Sequence, residues 1–202
     1  MWQAIVEDLA DPDFVILSAA QDTGGEAVAG PLFDAAEVTY LQIVDENHAV
    51  SRAFGFVNVP SAAWIDESGR IVRVDEGTYA KTHFFGGTDA YAPAVKDWVR
   101  NGAASRYVQD AEQVASTLRQ PTHTEEQADA AFRLGNYFRE KGHPERADAF
   151  WEQARTLHPK SVNFFRQNLT LTDEGSAGES FRDFREAYVA SGTPYYRPLD
   201  LD

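Results

Sequence analysis

The stretch from Phe56 to Asp75 constrains the fold most. Two apolar-alternating runs, Ser61-Ala-Ala-Trp-Ile-Asp66 and Arg70-Ile-Val-Arg-Val-Asp75, flank the turn residues Glu67-Ser-Gly69. Side chains on a strand alternate between faces, so two such runs around a short Gly-containing turn predict a β-hairpin. Pro60 stands just before the first run. It removes a backbone donor, which suits the start of a strand at a sheet edge.

Upstream, residues 3–10 have the spacing of an amphipathic helix that ends at Asp11-Pro12. Phe14-Val-Ile-Leu-Ser-Ala-Ala20 is a short continuous apolar run, predicting a strand buried on both faces. A helix over about 26–36, interrupted near Gly30-Pro31, leads to a second strand at Val38–Val44. Residues 48–55 predict a short helix with Gly55 at its C-terminal stop.

Beyond the hairpin, residues 76–92 are irregular, and helical spacing resumes from about Pro93 to Leu118 with a break near Gly102. Gln120-Pro-Thr-His-Thr124 is the best boundary, with Thr124 and Gln127 fitting a capping box. This predicts a β-containing domain over 1–120 and an all-helical module over 121–202. The final helical runs are Val162–Leu171 and Ser180–Ala190, joined by Thr172-Asp-Glu-Gly-Ser-Ala-Gly178.

The chain has 202 residues and no cysteine. Disulfides, Cys-ligated metals and Cys nucleophiles are therefore excluded. Acidic residues outnumber basic ones 32 to 18. No basic run is present, so a nucleic-acid partner is not expected. No apolar run reaches the length of a membrane span, and the N-terminus lacks the pattern of a signal peptide; the expectation is a cytoplasmic protein. His48, His83, His123, His143 and His158 have no ligand spacing, so neither a metal nor a cofactor is expected. Gly24-Gly25 and Gly86-Gly87 lack the Lys of a phosphate loop. Asp66-Glu67 reads as turn acids, and Ser51, Ser61 and Ser68 lack a nucleophile elbow. The Asn168-Leu-Thr170 sequon carries no weight without secretion.

The order Asp45, helix, Gly55, Val59-Pro60, apolar strand, Asp66, Gly69, returning strand resembles the redoxin group of the thioredoxin superfamily, its peroxiredoxin and TlpA/ResA-like branches. The resemblance covers roughly residues 1–100. It implies an α/β thioredoxin-like fold in which strands 14–19 and 62–66 belong to one mixed sheet, a cis Val59–Pro60 bond, and a substrate or partner groove at Val59 and Pro60. The chain begins inside what would be the Cys-bearing helix, so the reactive turn and the central strand before it are missing from the pattern. As given, such a chain is catalytically silent and acts by interaction with a protein or peptide. The alternative is an antioxidant or thiol–disulfide oxidoreductase whose Cys- or selenocysteine-bearing segment lies upstream of Met1. A sheet without its central strand would be closed by direct pairing, by strand exchange with a second copy, or by a partner's strand.

In the second half, Leu134-Gly135, Phe138, Ala147, Trp151, Ala154 and Pro159 resemble a tetratricopeptide repeat. Small residues at 135 and 147 would let two helices approach closely, with Phe138 and Trp151 filling the space between them. The resemblance implies an antiparallel helix pair over 125–158 and peptide binding.

Overall fold

The computed structural model describes residues 1–56, 58–77, 79, 88–118, 120–169, 178–192, 196 and 199–201. His83, Gly86, Gly87, Thr170 and most of the 172–178 connection lie outside them. The fold is mixed α/β. Its elements are α1 (Trp2–Leu9), β1 (Leu17–Ala20), α2 (Glu26–Ala36), β2 (Leu41–Val44), α3 (Ala49–Ala53), β3 (Ser61–Ile65), β4 (Ile71–Glu76), α4 (Tyr91–Asn101), α5 (Ala111–Thr117), α6 (His123–Glu140), α7 (Pro144–Leu157), α8 (Val162–Leu169) and α9 (Glu179–Ala190).

The strands do not form one sheet. β1 pairs with β2 in parallel, β3 pairs with β4 antiparallel, and each pair is a sheet of its own. The expectation that 14–19 and 62–66 share a sheet is overturned. The reason lies in the ladders. Bonds from Leu41 N to Ile16 O and from Asp45 N to Ala20 O show that even-numbered peptide groups of β1 face β2. Those of Leu17 and Ala19 therefore point to the opposite edge, where no described strand pairs. In β3, the bond from Gly77 N to Pro60 O places Ala62 and Trp64 in the ladder with β4. Ser61 and Ala63 then point away from it.

The outer edge of β4 is closed. Gln109 N donates to Val72 O, and Gln109 Oε1 accepts from Val74 N. One residue thus imitates a neighbouring strand.

Helix ends follow local chemistry. Asp66 holds the hairpin turn: Oδ1 accepts from the amides of Ser68 and Arg70, and Oδ2 from the Arg70 guanidinium. These bonds, the Ser68 hydroxyl first, keep its carboxyl well below the usual range. Pro31 does not interrupt α2, which runs through it and gives up one internal donor. The capping box of α6 is Thr122 with Glu125, not Thr124 with Gln127. Thr122 follows Pro121 and is extended (φ −71°, ψ 160°), which frees its hydroxyl to accept from Glu125 N.

Two cores result. The first gathers Ile5, Trp64, Tyr79, Tyr91, Ala94, Val95 and Leu201, with Trp64 stacked on Trp98 at 4.9 Å. The second gathers Ala128, Ala131, Phe132, Ala147, Trp151, Ala154 and Phe164. Helices α6 and α7 are antiparallel, since Glu125 meets His158, Asn136 meets Trp151 and Phe138 stacks on Phe150. Gly135 is the close-approach point, because a Cβ there would overlap the Trp151 indole. Leu134, by contrast, is exposed. The Gly135→Ala variant should lose about 1–3 kcal/mol by overpacking, reduced by at most about 1 kcal/mol of helix propensity. Urea unfolding measures this; a stability above that of the parent would refute the close approach.

Candidate functional site: the Val59–Pro60 loop

The loop into β3 is built from its capping groups. Asp45 is buried and accepts from the amides of Ala49 (2.6 Å) and Val50 (2.9 Å), so it holds the start of α3. Gly55 follows α3 at φ 65°, a turn that a residue without Cβ adopts freely. Asn58 is buried; its Oδ1 accepts from Val59 N at 2.9 Å, and its carbonyl accepts from Ser61 Oγ at 2.7 Å. The Val59–Pro60 bond is cis, as the redoxin resemblance implies.

The backbone groups of this loop are engaged internally. Tyr196 Oη donates to Val59 O at 3.0 Å, and Gly77 N donates to Pro60 O at 2.9 Å. A segment far along the chain thus lies at the loop where a partner was expected. A ligand that used the Val59 carbonyl would have to displace the Tyr196 hydroxyl.

Behind the loop lies a network that reading by motif missed. Arg73 and Asp75 are buried, and Arg73 Nε donates to Asp75 Oδ2 at 2.7 Å. The other guanidinium nitrogens donate to Tyr107 O (3.0 Å) and Asp200 O (2.6 Å). Tyr91 Oη donates to Asp75 Oδ2 and accepts from Trp64 Nε1 at 2.9 Å. Tyr79 Oη donates to Asp75 O. Burial is the main cause that raises the Tyr79 and Tyr91 phenols above their ordinary range, so both stay protonated donors. The signal was present: Arg73 and Asp75 are two apart in an apolar strand, and so share a face with Trp64.

The described histidines do not converge: His123 opens α6 beside Glu126, His143 stands at the N-terminal boundary of α7 without a side-chain cap bond, and His158 is 3.5 Å from Glu125. Among the described residues no group of three His, Asp or Glu side chains is placed to hold a metal. Ser51 and Ser61 donate to backbone carbonyls, and Ser68 donates to Asp66. No family model matches the chain. Nor does any curated protein or solved structure.

His48 joins the first half to the helices. It is buried, lies 4.9 Å from the Phe132 ring, and its Nδ1 is 3.1 Å from Gln21 Nε2. The Gln amide donates, so Nδ1 accepts and the proton sits on Nε2, which has no hydrogen-bond partner among the described residues. Burial, opposed by Asp45, lowers its pKa to about 4.

Two outcomes follow from these contacts. Between pH 6.5 and 4 the unfolded chain binds a proton at His48 that the folded chain does not. Its contribution is thus complete above pH 6.5 and falls by about 1.4 kcal/mol per pH unit below that. His48→Asn, tolerable at φ 55°, should flatten the urea midpoint between pH 6.5 and 5; an unchanged slope would clear His48. Separately, Arg73→Met should cost about 3–5 kcal/mol by leaving Asp75 buried and uncompensated. The double variant with Asp75→Asn should regain part of that loss, and a double variant no better than Arg73→Met alone would contradict the pairing.

Proposed function

We propose that this chain is a redoxin-like protein, silent in thiol chemistry, that acts as an interaction module. On this reading residues 1–120 are a thioredoxin-like scaffold that carries no cysteine, and helices α6 to α9 are a tetratricopeptide-like module. The observation that carries it is the combination of a redoxin order of elements from Asp45 to β4 with a chain that has no sulfur nucleophile. Sulfur exchange needs a thiolate to attack and a sulfur to be attacked. What such a scaffold retains is shape and hydrogen-bonding capacity, in the Val59–Pro60 loop and on the helices.

The Val59 carbonyl gives this reading its handle. It is a buried-side acceptor that the chain satisfies with Tyr196, a contact a bound peptide can replace. Insulin reduction and peroxide consumption by this chain should show no turnover. Peptides selected from a random library should slow hydrogen exchange at residues 58–61 or along α6–α9. Those protecting 58–61 should bind the Tyr196→Phe variant more tightly, because its Val59 carbonyl is open. Turnover above background, or binders that protect neither region, would overturn the proposal.

A further inference from the structure

The β1–β2 sheet is open on one face. Its register pairs Leu17 with Leu41 and Ala19 with Ile43, which puts those four side chains on the same side. Leu17 is 58% exposed, Leu41 62% and Ile43 40%; Val15, two positions before Leu17, is 65% exposed. The other face, with Ser18, Ala20, Gln42 and Val44, is half-buried. Parallel strands ordinarily have both faces covered, and contiguous exposed apolar surface marks a contact site. The open face adjoins the open edge, where the peptide groups of Leu17 and Ala19 have no strand partner among the described residues. An added strand there would find hydrogen-bond partners and apolar surface together.

Charge identifies the occupant. The first 51 residues contain ten Asp and Glu and no Lys or Arg. Because β1 and β2 are parallel, Asp11, Asp13 and Glu37 lie toward one end of the patch, and Asp22 and Glu46 toward the other. Arg52, the first cation in the chain, is directed to Asp129 of α6. A second copy would bring the same carboxylates to the same patch and be repelled. An extended segment with cations at its ends would be drawn in.

We propose that the open edge of β1 and the Val15, Leu17, Leu41 and Ile43 face bind, by strand addition, an extended segment of another protein that is apolar at alternate positions and carries Lys or Arg at both ends. The proposal does not depend on the redoxin reading, because its surface is remote in sequence from Val59 and requires no kinship.

The probe is a labelled peptide of alternating Val and Thr with two lysines at each end, titrated with the full chain and followed by anisotropy. It should bind at least tenfold tighter than the same peptide with glutamates at its ends, and weaken as salt rises. Ala19→Pro removes a donor from the free edge while leaving the ladder to β2 intact, and should weaken binding about tenfold or more. Leu41→Lys, at an exposed position, should do the same, and it decides alone if circular dichroism shows Ala19→Pro unfolded. Equal affinity for the two peptides, or unchanged binding to the variants, would refute the proposal. So would a dimer in light scattering that Ala19→Pro dissolves, since that would seat a second copy on the edge.

Discussion

The buried guanidinium of Arg73 is the interaction on which the rest of the first half depends. An isolated cation in that position would be untenable, since removing a charge from water costs several kcal/mol unless it is paired and hydrogen-bonded. Here it meets Asp75 on its own strand, the carbonyl of Tyr107 between α4 and α5, and the carbonyl of Asp200 near the end of the chain. Its face lies 5.4 Å from the centre of the Trp64 ring. Three separate segments are thereby held to one side chain. The acceptors are directional, so they fix where each segment lies, which apolar burial alone does not do. The aromatic cage of Trp64, Tyr79 and Tyr91 excludes water and makes each of these bonds stronger than it would be at the surface.

What the sequence revealed follows the range over which each force acts. The hairpin was legible because alternation and the Asp66 to Gly69 turn are local. The α6–α7 pair was legible because Gly135, Ala147 and Trp151 must meet at a spacing fixed by helical geometry. The division into two sheets was not legible. The continuous apolar run at 14–19 and the alternation in 62–66 say which residues are apolar, not which strand is the neighbour. The network around Arg73 was half legible: two charges two positions apart within an apolar strand imply a shared buried environment. Their carbonyl partners, 34 and 127 residues away, left no trace in the local pattern. The capping box moved by two residues because Thr122 and Thr124 offer equivalent chemistry, and Thr122 is the one that holds the extended backbone a cap needs.

At the candidate site the Val59–Pro60 bond is cis as expected, but Tyr196 could not be foreseen as its neighbour. The same holds for the seam between the two halves. Thr23 and Gln21 bond to Gln167 of α8, and His48 packs on Phe132 of α6. Polar residues in loops rarely declare a distant partner. The helices therefore do more than add length, because they satisfy groups in the β1–α2 connection that would otherwise face solvent or go unpaired.

Leu201 sits in the same cluster as Ile5, and Leu199 and Trp2 pack against that cluster. The core of the first half thus joins side chains that precede β1 to side chains that follow α9. During synthesis such a core has to wait: α1 and the hairpin emerge early, yet Leu201 is added only after α6 to α9. Folding from the N-terminus onward, the habit of many modular proteins, would leave this core open until Leu201 has emerged.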